Sequence, residues 1–205
     1  MTRPEHEPDD HRTISHEKIN SLPLRSFKGK IVLLSESGKL QRAFDEIREH
    51  SAIGFDTETR PSFRKGEIHK VSLLQIATPE KAFLIRLNHT GLTSSIINFL
   101  ESDVTQKAGV GIRDDIKALH KLSVFQPIGF TELSTLAKAS GLQVESVKKL
   151  TALLLGFRIS KGAQTSNWEA PTLTQKQLEY AATDAWVCLE IFKKLNEMTN
   201  QPLAE

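Results

Sequence analysis

The sequence predicts an α/β fold in which helices pack on a mixed β-sheet. Strand-like runs follow one another with short links between residues 52 and 87, which is typical of an antiparallel meander. Beyond this region helical and strand-like stretches alternate, as they do where helices cover a sheet. The clearest helical pattern runs from Thr174 to Met198, so we expect the fold to end in a long helix.

The individual elements follow from the spacing of apolar residues. A short strand is predicted at residues 31–34, and an amphipathic helix at 39–49, where Leu40, Phe44 and Ile47 recur at helical spacing. The meander is predicted to consist of strands at residues 52–55, 69–78 and 81–87. It is followed by a helix at 92–100, a strand at 104–110, a helix at 112–122 and helical segments over 131–157.

Capping residues mark the start of the last helix. Thr174 is a good N-cap, and Gln177 follows three positions later, which makes a capping box. Leu173 and Leu178 stand where a hydrophobic staple would place them. The helix is therefore expected to begin directly after Thr174.

Length and composition restrict the class of protein. With 205 residues, 39% of them hydrophobic, the chain suits one domain, predicted at residues 21–200, after a polar, disordered tail at residues 1–20. The 27 basic and 25 acidic residues nearly cancel, so net charge neither favours nor excludes nucleic acid as a partner. The single cysteine, Cys188, excludes an intrachain disulfide and a multi-cysteine zinc site, and we expect it to be a core residue.

Nothing in the sequence predicts a membrane or secreted protein. Apolar runs are too short to span a bilayer, and the N-terminus lacks the basic-then-apolar layout of a signal peptide. We therefore expect a soluble intracellular protein without membrane partners, cytoplasmic if bacterial and nuclear if eukaryotic.

Four acidic residues in three separated segments are the strongest functional signal. Asp56 and Glu58 are two apart on a predicted strand, so both side chains project from one face. Asp115 lies near the first turn of a predicted helix, after a glycine-rich strand end. Asp184 lies in the last helix, four residues after Tyr180, so these two share a face. Carboxylates drawn together repel, and a divalent cation with oxygen ligands removes that conflict.

Each motif by itself has a simpler explanation. The Asp56–Glu58 pair can be an exposed strand end, and Asp115 can interact favourably with the helix dipole. Asp184 can pair with a lysine, and Tyr180 can be a core tyrosine with its hydroxyl at the edge. Only the three motifs together indicate a metal-dependent site suited to phosphodiester cleavage.

In this order the motifs resemble those of the DEDD superfamily of exonucleases, in its tyrosine-containing branch. The similarity is greatest to exonuclease domains of the Werner helicase type, covers roughly residues 31–195, and extends more distantly to ribonuclease D. It includes Phe55–Glu58, Arg64–Gly66, Lys70–Gln75, Lys107–Ile112, Ser166–Trp168 and Tyr180–Ala185. The resemblance implies a ribonuclease H-like fold and 3′→5′ hydrolysis of nucleic acid to nucleoside monophosphates.

The resemblance also implies roles for single residues. Two divalent cations, Mg²⁺ or Mn²⁺, would flank the scissile phosphate, bound by Asp56, Glu58, Asp115 and Asp184. Tyr180 would orient the attacking water rather than act as a free base, because an unperturbed tyrosine titrates near pH ~10. Lys117 stands where Werner-type domains have an aromatic residue, so a phosphate contact there would replace stacking.

Basic segments beside these motifs are candidate substrate contacts. Residues 146–168 contain four basic residues and no acid, and Lys161 and Trp168 are the best candidates within them. Trp168 can stack on a base or serve as a core anchor. Arg64 lies in a second basic stretch after the first motif. Such loops suit phosphate binding, with solubilising surface charge as the alternative.

Three functions remain open, and the leading one is a metal-dependent 3′→5′ exonuclease acting on the 3′ end of DNA. A ribonuclease D-like exoribonuclease acting on structured RNA is the second. The third is a non-catalytic nucleic-acid-binding module, which the presence of all four carboxylates disfavours. The Werner-type segments favour DNA, although no sequence motif indicates a contact with the 2′-hydroxyl that distinguishes RNA from DNA. The length leaves no room for a helicase or polymerase domain, so we expect either a free-standing exonuclease or one that supplies its activity to a helicase or polymerase partner in trans.

Overall fold

The computed structural model describes residues 12–200, which fold around one mixed sheet of six strands. The strands are β1 (Lys30–Leu34), β2 (Ala52–Thr59), β3 (Val71–Ala77), β4 (Lys81–Arg86), β5 (Gln106–Gly109) and β6 (Phe130–Glu132). Their order across the sheet is β1-β4-β3-β2-β5-β6. β2, β3 and β4 form the predicted antiparallel meander, and the remaining neighbours pair in parallel.

Eight α-helices lie within the described residues: α1 (His16–Ser21), α2 (Leu40–Ile47), α3 (Leu87–Thr90), α4 (Ser94–Leu100), α5 (Ile112–Leu119), α6 (Leu133–Ala139), α7 (Val147–Leu150) and α8 (Gln175–Asn200). A 3₁₀ turn at Ser37–Lys39 leads into α2, and a π-helical turn at Thr151–Leu155 follows α7. Across residues 12–200, none of the helices is both long and apolar enough to cross a membrane.

Alternation along β2 separates a core face from a functional face. Ile53 and Phe55 are buried in the cluster that β2 shares with α2 and α4. Gly54, Asp56 and Glu58 point to the other face of the sheet, which α8 covers. The period of two in a strand thus sends the apolar residues into one core and both acids towards α8.

Gly54 allows α8 to lie directly on β2. A Cβ atom at this position would stand 1.8 Å from the carbonyl oxygen of Ala185. Ala181, Ala182 and Ala185 of α8 are themselves fully buried. Small residues on both elements therefore permit a close approach, and this brings Asp184 to the functional face of the strand.

The start of α8 confirms the predicted capping box. The backbone N–H of Thr174 donates to Gln177 Oε1 at 2.9 Å, and the N–H of Gln177 donates to Thr174 Oγ1 at 3.3 Å. Leu173 and Leu178 pack in one apolar cluster. Further along the helix, Cys188 is buried, as predicted.

The N-terminal segment differs from the expected disordered tail. Residues 1–11 lie outside the described residues, but α1 begins at His16, within the stretch 1–20 that was expected to be disordered. The segment after α1, which was expected to belong to the domain, packs on the body of the protein. The N–H of Arg25 donates to the carbonyl oxygen of Arg158 at 2.9 Å, and Phe27 is buried. Backbone hydrogen bonds and one aromatic anchor hold this segment, and neither produces a periodic sequence pattern.

Strand β6 is absent from the sequence prediction, which places only helical segments over residues 131–157. It pairs in parallel with β5 over three residues, and α6 begins directly after it. Three half-buried residues are too few to show a period of two, so the neighbouring strand decides their conformation.

Candidate active site

The functional face of β2 and one face of α8 bring three carboxylates together. Asp56, Glu58 and Asp184 each offer a carboxylate oxygen, and these oxygens all lie within 4.8 Å of one another. The strand fixes the first two on one face, and the close contact at Gly54 sets the height of the helix that carries the third. The predicted convergence of the first and third motifs is thus present in the structure.

Asp115 lies beside this cluster, and a hydroxyl links it to β2. Its Oδ1 accepts a hydrogen bond from Thr57 Oγ1 at 2.6 Å. α5 begins after Gly111, whose φ of +80° is left-handed. The Glu132 carboxylate of β6 accepts from the N–H groups of Gly111 and Ile112 at 2.9 Å each. Glu132 therefore caps α5, and Asp115 is close enough to Asp56 for its charge to raise the pKa of that acid.

Burial and mutual repulsion oppose ionisation of these acids. Burial, with repulsion from Asp115, Asp184 and Glu58, raises the pKa of Asp56 well above its usual range. Burial and the charge of Asp184 raise the pKa of Glu58 to about 8. Burial likewise raises the pKa of Asp115 to about 6 and that of Asp184 to about 6. Without a counter-charge, the four acids cannot all be ionised at neutral pH.

This arrangement fits a divalent cation. Asp184 Oδ1 is buried and has no hydrogen-bond partner, which is costly for a carboxylate unless a ligand satisfies it. All the converging groups are oxygen donors, the type that Mg²⁺ and Mn²⁺ prefer. The cluster is therefore able to bind metal, and a bound cation would offset the repulsion that raises the pKa values.

Tyr180 lies one helical turn before Asp184, and both line the cavity of about 340 Å³ over the carboxylates. Burial, followed by the charges of Asp184, Glu58 and Asp56, raises the pKa of Tyr180 far above its usual value. The phenol therefore stays neutral and can donate a hydrogen bond.

Of the substrate residues predicted from sequence, Trp168 is placed differently from expectation. Its side chain is 0% exposed, and its ring packs 6.1 Å from that of Tyr180. It is thus the core anchor that the sequence analysis left open, and it has no free face on which a base could stack. Burial between Leu73, Leu84 and α8 explains the difference.

The three predicted cationic contacts are exposed and do not line the cavity over the carboxylates. Lys161 lies in the loop before α8 and is close enough to Lys148 to lower that lysine's pKa. Arg64 lies in the loop between β2 and β3, and Lys117 lies on α5. These positions flank the site, and they make no contact with the carboxylate cluster.

Sequence reasoning missed Lys148 as a residue of the site. It lines the cavity, its Nζ donates to Gln164 Oε1 at 3.4 Å, and its charge opposes the raised pKa of Asp184. The basic segment contains Lys148, but nothing in the sequence distinguishes it from its neighbour Lys149. Only the direction in which α7 presents its side chains separates the two.

Solved structures share this fold. The exonuclease domain of Nibbler from Aedes aegypti superposes with a TM-score of 0.73 at 25% identity, covering 85% of this chain and 92% of that one. RNase D of Escherichia coli, an exoribonuclease involved in structured RNA processing, superposes with a TM-score of 0.74 at 22% identity, covering 84% and 45%. The fold and the acidic site place this chain among the exonuclease domains of the ribonuclease H-like class.

Sequence comparison identifies the family. The family model for a 3′-5′ exonuclease matches residues 31–200. A protein of Arabidopsis thaliana named 3′-5′ exonuclease is 29% identical over 202 residues, which are 90% of this chain and 70% of the relative. The mouse bifunctional 3′-5′ exonuclease/ATP-dependent helicase WRN is 29% identical over 189 residues, 87% of this chain and 14% of the relative. The chain belongs to the 3′-5′ exonuclease family, and it is an enzyme that hydrolyses nucleic acid.

Proposed function

We propose that Asp56, Glu58, Asp115 and Asp184 hold two divalent cations, Mg²⁺ or Mn²⁺, and that the chain removes nucleoside monophosphates one at a time from a 3′ end. The convergence of three carboxylate oxygens within 4.8 Å, with Asp115 beside them, is the observation that carries this proposal. Bound cations would supply Lewis-acid activation of water and neutralisation of the phosphate charge.

The protein's own groups complete the reaction around that site. Tyr180, kept neutral by its surroundings, would donate a hydrogen bond that orients the attacking water. Lys148 presents a positive charge to the same cavity, where it would stabilise negative charge that develops on the phosphate. Thr57 holds Asp115 through its hydroxyl and so fixes the direction of that ligand.

For the substrate, we propose DNA as the favoured strand, on the resemblance to Werner-type segments. The likeness in fold to RNase D supports RNA as the second candidate. The mouse relative is named for an exonuclease and a helicase in one chain, of which this chain spans 14%. That name supports a helicase as a partner activity, and we propose such a partner for this chain.

Replacement of a metal ligand tests the proposed site. Asp56→Asn and Asp184→Asn each remove one ligand charge, so the cleavage rate should fall at least about 10²-fold, the loss typical when charge stabilisation is removed. The measurement is the shortening of 5′-labelled DNA and RNA strands of one sequence with Mg²⁺, Mn²⁺ or EDTA. Asp103→Asn, an exposed acid outside the site, is the matched control and should cleave normally.

The melting temperature of each variant separates loss of chemistry from loss of fold. Loss of a repelling carboxylate should leave the metal-free fold at least as stable as the wild type, because the raised pKa values show that the charged acids oppose one another. Near-normal cleavage by either variant would contradict the ligand assignment. The faster of the two strands identifies the sugar preference.

A further inference from the structure

A second, larger cavity of about 880 Å³ opens next to the carboxylate site. Tyr180 and Asp184 line both cavities, so the two cavities meet at this part of α8. The second cavity is a groove walled by residues 24–28 on one side, by the loop at 160–163 on another, and by α8 itself. Its size falls within the range of ligand-binding clefts.

Three hydrogen bonds hold the backbone that forms the N-terminal wall of this groove. The N–H of Arg158 donates to the carbonyl oxygen of Pro23, and the N–H of Arg25 donates to the carbonyl oxygen of Arg158, both at 2.9 Å. The N–H of Phe27 donates to Thr183 Oγ1 of α8 at 3.0 Å. These bonds fix the backbone that carries the groove's basic residues.

The groove is cationic. It is lined by three basic residues, Arg25 and Lys28 from the N-terminal wall and Lys176 from α8. Apart from Asp184, which both cavities share, the only acidic residue among the described residues that line it is Glu179. All three basic side chains are exposed, so they are free to meet phosphate groups.

An aromatic stack supports the same wall. The Arg25 guanidinium lies 5.4 Å above the centre of the Phe157 ring, and that ring stacks on Trp186 with centroids 5.8 Å apart and planes 14° apart. Trp186 lines the groove and is half-buried. Grooves that combine basic residues with an aromatic surface are typical of proteins that bind single-stranded nucleic acid.

The length of the groove fits several nucleotides. Along α8 it extends from Lys176 to Trp186, and ten helical residues span about 15 Å at about 1.5 Å per residue. At an axial rise of about 3.4 Å per nucleotide of one stacked strand, this distance matches about four nucleotides. Tyr180 and Asp184 lie within it, so the terminal nucleotide is one of the four.

We propose that this groove binds the single-stranded nucleic acid immediately upstream of the nucleotide being removed, with Arg25, Lys28 and Lys176 on its phosphates. The proposal rests on the proposed function, because the strand enters the groove from the carboxylate site. It adds a second part to the nucleic-acid interface, formed by residues 24–28, the loop at 160–163 and α8.

Binding in EDTA tests the groove independently of cleavage. The probes are 5′-fluorescein hexanucleotides and dinucleotides of oligo(dT) and oligo(U), and the readout is fluorescence anisotropy at several salt concentrations. The variant is Arg25→Ala/Lys28→Ala/Lys176→Ala. The control is Lys39→Ala/Lys138→Ala/Lys194→Ala, which removes the same charge from exposed lysines that line neither cavity.

We expect the groove variant to bind the hexanucleotide about 10-fold more weakly and to lower its salt slope by about 2, since each phosphate contact on a single strand contributes about 0.7. It should also lose most of the gain in affinity from two to six nucleotides. The double variant Lys28→Ala/Lys176→Ala, which keeps Arg25 on Phe157, should show about two thirds of the change in slope without loss of melting temperature.

The outcomes separate this inference from the proposed function. If the wild type shortens the strand but the groove variant binds the hexanucleotide as tightly as the control does, the groove proposal is overturned. If the wild type binds through these residues but never shortens a strand with Mg²⁺ or Mn²⁺, the proposed function fails instead.

Discussion

Gln75 lies beneath the carboxylate cluster, fully buried, with no hydrogen-bond partner for its side-chain nitrogen or oxygen. The register of β2 and β3 sets it opposite Asp56. Its amide is close enough to Glu58 to lower the pKa of that carboxyl, although it makes no hydrogen bond of good geometry with it. An unpaired buried amide costs about 1–3 kcal/mol, whereas a donor behind a metal ligand orients that ligand.

Gln75→Leu should therefore change stability and metal affinity in opposite directions. In EDTA the melting temperature should rise, because an unsatisfied amide is replaced by an apolar group of similar size. The affinity for Mn²⁺, measured by calorimetric titration, should fall about 10-fold or more, the usual loss when a group behind a metal ligand is removed. Unchanged Mn²⁺ affinity would show that Gln75 has no part in positioning Glu58.

For single residues, the converging acids can be predicted from sequence better than the residues around them. Asp56, Glu58 and Asp184 stand in motifs whose spacing already places each on the correct face of its element. Lys148 and Trp168 depend on which way a short helix and an irregular loop turn, and no periodic pattern records that. The sequence therefore could not indicate that Lys148 lines the cavity while Trp168 is buried in the core.

Among the elements, the contact between β2 and α8 sets the geometry of the site. Gly54→Ala should disrupt it, because the added Cβ would meet the backbone of Ala185, which cannot move without shifting Asp184. We expect a loss of at least about 2 kcal/mol in the free energy of unfolding, at the upper end for overpacking. Urea denaturation measures the loss, and Mn²⁺ affinity should fall with it.

Gly38→Ala is the matched control for this substitution. Nothing lies within 4 Å of a Cβ atom at that position, and the residue sits in the turn before α2. Its unfolding free energy should stay close to the wild-type value. Equal stability of the two variants would contradict the close approach of α8 to β2.

The long elements were predictable because packing and periodicity agree in them. α2 buries one face of a regular pattern, β3 and β4 are apolar runs buried almost throughout, and α8 is long and begins at a capping box. β6 and residues 22–28 obtain their conformation from partners distant in sequence, β5 and Arg158. The spacing of apolar residues within one segment cannot indicate a pairing partner that lies elsewhere in the chain.

For the molecule as a whole, the acids make metal-free stability depend on pH. The pKa of Glu58 rises from 4.5 to about 8 in the folded chain, so between these values the folded state holds more protons than the unfolded state. The free energy of unfolding therefore falls as pH rises through this window. Thermal melting in EDTA should show the decline, and Mg²⁺ or Mn²⁺ should reduce it by binding the ionised acids.

Glu58→Gln identifies the source of this pH dependence. The variant lacks the group whose pKa is raised to about 8, so its melting temperature in EDTA should fall less between pH 6 and pH 8. A wild-type protein whose metal-free melting temperature rises over this range would contradict the raised pKa values.

The separation of Asp56 and Asp184 in the chain has a consequence for biosynthesis. They stand 128 positions apart, and the helix that carries the second is the last element of the described fold. Domains generally fold as units while the ribosome delivers them from the N-terminus. A nascent chain that has not yet released α8 therefore has an uncovered sheet and lacks one of the converging carboxylates. We expect that it does not degrade nucleic acid near the ribosome that is making it.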